Sequence, residues 1–353
     1  NTNVPSQACN LTNANGCDSI AILNLTINQA DTLYTNIITC DNYTWDGTTY
    51  TNSGIYNNVY TNSNGCDSIL LNLITIPGPF SVSNIDESSG IRNGLDYDGA
   101  TIYYPDNGNY LSSIVIVPGF MNTELTVQNW GPFLASYGIV TMTIGTNALT
   151  DSEFQRRDAL IDAIISLKDE NNRSLSPLFG RLNTSSISVG GFSKGGGGAQ
   201  LVASLDSSIK AIVALYPFID NPIVSDFDHN IPTFIISGQL DVIAPPAQHA
   251  DIHYDLIPNS TKKLKYELSV GTHDALSGPY GGLNQVGERV LSFLGLFLEN
   301  DSCYCPLLDI TPSLSSRSKS APLTKSLMIL PAATDALRAG SKSTSAKLAE
   351  AVA

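Results

Sequence analysis

Ser193 stands in Gly191-Phe192-Ser193-Lys194-Gly195, and Gly-x-Ser-x-Gly is a spacing at which a serine can become a nucleophile. A serine hydroxyl is weak alone. It needs a base to take its proton, an acid to orient that base, and N–H donors for the oxyanion that forms on the attacked carbonyl. The β-branched run 185–189 precedes the motif and the helix-forming run 199–203 follows it. The serine therefore falls on a sharp strand-to-helix turn, with its hydroxyl out of the sheet and the helix N–H groups beside it. The competing readings are an ordinary βα turn and a phosphate-cradling glycine loop. The glycines fit neither GxxxxGK[ST] nor GxGxxG.

Four histidines could supply the base: His229, His249, His253 and His273. On a strand-turn-helix serine of this kind the acid and then the base follow in chain order. His229 precedes the best acid. His249 and His253 lie four apart in a helix-like segment and read as a solvated helix face; as half a zinc site they lack a third ligand and an HExxH pattern. Only His273 follows a strand in a glycine-flanked loop, Gly271-Thr272-His273. Asp241, just past a strand in Gly238-Gln239-Leu240-Asp241, is the best acid; Asp220 is a serious rival, and Asp274 adjoins His273 too closely to orient it.

These residues require a scaffold of alternating strands and helices. From Phe80 to about Glu299, strands are predicted over 101–104, 113–117, 139–144, 186–189, 209–215, 233–237 and 264–269. Helices are predicted over 128–137, 152–168, 195–205, 247–256 and 283–298. Such alternation implies βαβ units and a mostly parallel sheet, and the nearly all-apolar strands imply a sheet covered on both faces. The segment 152–168 carries Phe154, Leu160, Ile161, Ile164, Ile165 and Leu167 near helical spacing.

The chain has 353 residues and a net charge of −14, which argues against a nucleic-acid partner. It has no apolar run long enough for a membrane span, and it starts without Met or a visible signal peptide; the expectation is a mature or trimmed form of a secreted, monomeric protein. Residues 1–77 contain a repeat: Cys17-Asp18-Ser19-Ile20 returns 49 residues later as Cys66-Asp67-Ser68-Ile69, each copy after Asn-Gly and running into a β-rich stretch. We expect a truncated β repeat over 1–28 and a small β-sandwich-like repeat over 29–77. Trp45, Tyr43 and Tyr50 are core rings or a stacking platform. Six cysteines suit an oxidising compartment; Cys40–Cys66 and Cys9–Cys17 are the expected disulfides, while Cys303 and Cys305 are too close to bridge each other. Pro77-Gly78-Pro79 marks the boundary to a catalytic domain over 78–312. The rest, 313–353, carries six Lys/Arg against two Asp/Glu and is expected to be a disordered tail.

Residues 79–299 resemble the bacterial cutinase-like polyester hydrolases, the group that includes the poly(ethylene terephthalate) hydrolases. The residues that carry the resemblance include Ile116-Val117-Pro118-Gly119-Phe120, Trp130-Gly131-Pro132-Phe133, Thr143-Ile144-Gly145-Thr146-Asn147, Gly191-Phe192-Ser193-Lys194-Gly195-Gly196-Gly197-Gly198, Asp241-Val242-Ile243-Ala244-Pro245 and Gly271-Thr272-His273. The front repeat is similar to the Cys-Asp-Ser repeats of large bacterial surface proteins. The first resemblance implies an α/β-hydrolase fold, Ser193 as nucleophile, His273 as base, Asp241 as its orienting acid, and the backbone N–H groups of Phe120 and Lys194 as the oxyanion hole. Phe120 and Phe218 would line the acyl cleft, and no metal or cofactor is implied. Three departures stand out. Phe218 replaces a frequent Trp. Lys194 replaces a Met, Gln or His and would bring positive potential. Gly238 and Ala275 stand where the family has a disulfide.

The residues predict a serine esterase, and the resemblance implies a secreted one acting on polyester or cutin-like bonds. A triacylglycerol lipase or carboxylesterase with little polyester activity is the nearer alternative. A surface adhesion fragment with an inactive hydrolase domain is the more distant one.

Overall fold

The computed structural model describes most of residues 2–75, residue 78, residues 80–269, most of 271–308, and 315–320. Two compact units are separable, Asn1–Thr75 and Ile76–Ala353.

The first unit is all β. Strands β1 (Thr2–Asn3) and β4 (Thr26–Ile27) pair, as do β2 (Gln7–Thr12) and β3 (Asp18–Leu23). In the second repeat, β5 (Asp31–Ile38), β9 (Asp67–Thr75) and β8 (Gly54–Thr61) form a three-stranded sheet. Between them β6 (Tyr43–Trp45) and β7 (Thr48–Tyr50) make a hairpin. The Asp46-Gly47 turn carries positive φ at both residues, the geometry a two-residue hairpin favours. Tyr50 packs on Tyr56 at 4.0 Å and on Trp45 at 6.3 Å between ring centroids. The expected disulfides Cys9–Cys17 and Cys40–Cys66, and the side chains of Cys303 and Cys305, lie outside the described residues.

The second unit is built on nine strands: β10 (Val82–Asp86), β11 (Ala100–Pro105), β12 (Leu111–Val117), β13 (Val140–Ile144), β14 (Leu182–Phe192), β15 (Ile212–Leu215), β16 (Thr233–Gly238), β17 (Lys263–Leu268) and β18 (Ser315–Ser320). Their spatial order is β10-β11-β13-β12-β14-β15-β16-β17-β18. The six strands β12 to β17 run parallel, with antiparallel strands at both edges. Among the described residues six α-helices accompany it: α1 (Trp130–Ser136), α2 (Glu153–Glu170), α3 (Lys194–Val202), α4 (Val224–Phe227), α5 (Ala250–Leu256) and α6 (Gln285–Leu298). This is an α/β-hydrolase fold. Strands β13, β15, β16 and β17 are buried at every position, as a sheet covered on both faces demands.

Two expectations need correction. Residues 315–320 are not an unstructured tail: the polar Ser315–Ser320 run pairs antiparallel with β17, because an edge strand asks only for backbone partners. Residues 321–353 lie outside the described residues. The predicted apolar stripe of α2 is also only partly used. Leu160, Ile164 and Leu167 are buried, but Phe154 and Ile165 are exposed, and Glu153, Arg156, Asp162 and Glu170 face inward instead. The helix starts where Ser152 accepts from Gln155 N and Gln155 Oε1 accepts from Ser152 N, a reciprocal cap.

Candidate active site

The site lies at the carboxyl ends of the parallel strands, where an open α/β sheet gathers its loops. Ser193 follows β14 directly, at φ 56° and ψ −121°. That backbone conformation is costly for a residue with a Cβ and persists only where surroundings impose it. Here Ser193 N donates to Leu215 O at 2.9 Å, and Ser193 O accepts from Gly197 N and Phe218 N, each at 3.0 Å. Close approach explains the glycines. A Cβ on Gly191 would lie 2.2 Å from Gly195 O, and one on Gly195 would lie 2.4 Å from Pro118 O. Four glycines cost a helix intrinsic stability, roughly 1 kcal/mol each against alanine, so α3 exists because its packing outweighs its propensity.

Ser193, Asp241 and His273 are far apart in the chain, and the fold brings them together. His273 Nε2 lies 2.9 Å from Ser193 Oγ, and His273 Nδ1 lies 2.7 Å from Asp241 Oδ2. The three residues are 4–6% exposed, so water screens these bonds little. Asp241 Oδ1 accepts from Ile243 N at 2.9 Å and Ala244 N at 2.8 Å, which fixes the carboxylate. Burial alone would raise its pKa. The hydrogen bond from His273, those from the Ala244 and Ile243 amides and the imidazole's charge outweigh burial and hold the carboxyl below its ordinary range. An ionised carboxylate only accepts, so Nδ1 carries the proton and Nε2 offers its lone pair to the serine hydroxyl. Such a chain can draw a proton from Oγ and stabilise the imidazolium that results.

Asp220, the rival acid, is engaged elsewhere. Its Oδ2 lies 2.8 Å from Lys194 Nζ, and Glu153 Oε2 lies 3.1 Å from the same ammonium. Lys194 therefore does not project the unbalanced positive potential expected of it. Burial lowers its affinity for a proton, but the hydrogen bonds to Asp220 and Glu153 prevail and raise it. Its Nζ sits 5.2 Å from the Phe218 ring centroid and 5.8 Å from that of Phe120. Phe120 is exposed and Phe218 half-buried, so neither is a plain core ring.

His249 and His253 are not on a solvated face. Both are buried: His249 stacks on Phe218 at 4.3 Å, and His253 packs 5.2 Å from Phe227, with Nδ1 3.2 Å from Gln200 Nε2. Burial pushes His249 down, and burial with the nearby His249 takes His253 down to about 3. Among the described residues no group of three or more His, Cys, Asp or Glu could hold a metal ion. The rings packed around His273 are not foretold by any motif in the chain. Phe192 lies 5.0 Å from its ring, and Tyr216, at φ 49°, meets it edge-on at 6.1 Å. Their position beside the strand ends was the only available signal.

Comparison with known proteins fits this geometry. A family model described as PET hydrolase-like matches residues 57–324. The chain belongs to the PET hydrolase-like family. It is 36% identical over 231 residues to Cutinase 1 of Thermobifida cellulosilytica, covering 65% of this chain and 84% of that one. The cutinase of Thermobifida fusca strain YX is likewise 36% identical over 231 residues, covering 65% of this chain and 73% of the relative. A bis(hydroxyethyl) terephthalate hydrolase of Streptomyces coelicolor is 33% identical over 237 residues, 65% of this chain and 72% of that one. This PET hydrolase-like chain is a carboxylic ester hydrolase. Its family match takes in β18, and no helix among its described residues is long and apolar enough to cross a membrane.

Proposed function

We propose that the protein is a secreted esterase that cleaves polyester or cutin-like ester bonds through an acyl-enzyme. Ser193 Oγ attacks the ester carbonyl while His273 Nε2 takes its proton; Asp241 holds the imidazole tautomer and stabilises its charge. The backbone N–H groups of Phe120 and Lys194 bind the oxyanion. His273 then protonates the departing alkoxide, and a water deprotonated by the same imidazole releases the acid and restores Ser193. Phe120 and Phe218 form the walls that grip the acyl group.

The observation that carries this reading is the unbroken chain Ser193 Oγ, His273 Nε2, His273 Nδ1 and Asp241 Oδ2, with steps of 2.9 and 2.7 Å. Support for a polymeric substrate comes from the loops around it, which expose Phe120, Met121, Leu240, Val242 and Ile243. Exposed apolar side chains gathered at one mouth suit contact with an apolar solid. Secretion is supported by the cysteine content and by the scarcity of Lys and Arg.

Turnover of p-nitrophenyl butyrate tests the chemistry. Ser193→Ala is expected to lower kcat by about 10³-fold or more; undiminished turnover removes Ser193 from the role. Release of aromatic acid from polyester film, set against hydrolysis of long-chain glycerides, tests the substrate. Glyceride turnover with no film product would make the protein a lipase instead.

A further inference from the structure

Arg156 has no place in the chemistry described so far, yet it is 0% exposed. A buried guanidinium normally faces a carboxylate. Among the described residues this one forms no ion pair, and its partners are all backbone carbonyls. Nε donates to Pro118 O at 3.0 Å, Nη1 to Asp151 O at 2.7 Å, and Nη2 to Gly119 O at 2.6 Å and Leu149 O at 3.2 Å. Two of these carbonyls belong to the loop after β12, immediately before Phe120. That loop touches the nucleophile: a Cβ on Gly119 would lie 2.7 Å from Ser193 Cβ.

A trans peptide is planar, so the carbonyl of one residue and the N–H of the next point in opposite directions. The Gly119 carbonyl is drawn towards α2 by Arg156, and it also accepts from Asn122 N at 3.2 Å in the turn that Met121 closes at φ 59°. The Phe120 N–H must then face away from α2. No described residue accepts from it. The second loop is tied to the same anchor: Leu149 O accepts from both Arg156 and Met121 N, the latter at 2.8 Å.

We propose that Arg156 is a positioning residue for the oxyanion hole: by holding the Gly119 carbonyl from behind, it aims the Phe120 N–H at the reacting carbonyl oxygen. This rests on the reading of Phe120 N–H as an oxyanion donor. Planar, multidentate donation is what the role requires, and a lysine ammonium cannot reproduce it. Loss of one well-aimed oxyanion donor costs about 10²–10³ in rate, and misaiming one costs somewhat less.

Arg156→Lys, assayed on active-site-titrated enzyme so that only folded protein counts, is expected to lower kcat by about 10–100-fold. KM should stay within about twofold and the pH midpoint of kcat should not move, because the hole acts on the transition state and leaves His273 alone. Affinity for an alkyl boronic acid, whose serine adduct is tetrahedral and presents an oxygen to the hole, should fall by the same factor as kcat. A kcat within about threefold of wild type, or a fallen kcat with unchanged boronate affinity, overturns the proposal.

A measurement on the wild-type protein keeps the test alive should that variant not fold. On boronate binding the Phe120 amide proton should move downfield, and the Arg156 Nε–H and Nη–H signals should move with it, since polarising one end of a hydrogen-bonded chain strengthens the other. A Phe120 amide that stays still defeats the oxyanion reading itself, and the proposal with it. A Phe120 amide that moves while Arg156 does not defeats the role of Arg156 alone.

Discussion

His273 and His253 are both buried, yet their ring nitrogens meet opposite surroundings. At the loop above β17, His273 has a carboxylate on one ring nitrogen and a serine hydroxyl on the other. Inside α5, His253 has an amide on Nδ1 and, among the described residues, nothing on Nε2. The first ring is held between a carboxylate that orients it and the hydroxyl it faces. The second has no such charge on it, and its neighbour His249 makes protonation harder still. Burial does not make a histidine a base; the partner of its other nitrogen does.

Exchanging the two rings' fates gives the largest contrast. His273→Ala should cut p-nitrophenyl butyrate kcat by about 10³-fold or more, while His253→Phe, with Phe227 beside it to pack on, should leave kcat within about threefold. Comparable losses in both variants would abolish the distinction.

Removing the charge behind His273 comes next. Asp241→Asn keeps the shape of the site but favours the wrong tautomer, and a fall of about 10²–10⁴ in kcat is expected with the melting temperature little changed. If kcat holds, Asp241 is a structural acceptor only, and the two imidazoles differ less than described.

The stability of α5 sharpens the same contrast through pH. His253 is held neutral, with its folded pKa near 3 against an ordinary value of 6.5. Its contribution is therefore complete above pH 6.5 and is lost as pH falls below it, at about 1.4 kcal/mol per unit. His229, pushed to about 4 by burial, acts in the same direction, whereas Glu288, raised to about 7 by burial, loses its contribution as pH rises above its ordinary value. The difference between wild type and His253→Phe isolates the one term. Denaturant unfolding between pH 6.5 and 4.5 should show the wild type losing stability faster, and parallel curves would mean that His253 takes up its proton in the folded state.

The smallest effect belongs to Lys194. Its ammonium is balanced by Glu153 and Asp220, so Lys194→Met should change kcat for a small neutral ester by less than about threefold, its backbone N–H being retained. A larger fall would show that the charge reaches the reaction after all.

The candidate site was more legible than the ground around it. Gly191-x-Ser193-x-Gly195 announces a strand-to-helix turn because only glycines allow backbones to pass so closely. Chain order and the glycine-flanked loop then point to His273, with Asp241 ahead of its rival Asp220; the fold separates the two acids. The alternation of apolar strands and helices gave the parallel sheet to within a few residues at most ends. Edge elements were less visible, since the sequences of β10 (VSNID) and β18 (SSRSKS) carry no alternation of apolar residues to read.

The order of residues by itself determined the chemistry available: a serine on a glycine turn, an acid and a base after later strands, and a doubly covered sheet to carry them. Only the tertiary structure decided which charged groups cancel and which act. Lys194 meets Asp220 and Glu153, His249 and His253 turn inward, and Arg156 grips two carbonyls of its own approach segment together with those of the distant Pro118 and Gly119. The physical reason is range. Backbone turns and apolar periodicity are written in neighbouring residues, whereas the energy of a charge depends on which groups and how much water the folded chain places within a few ångströms of it.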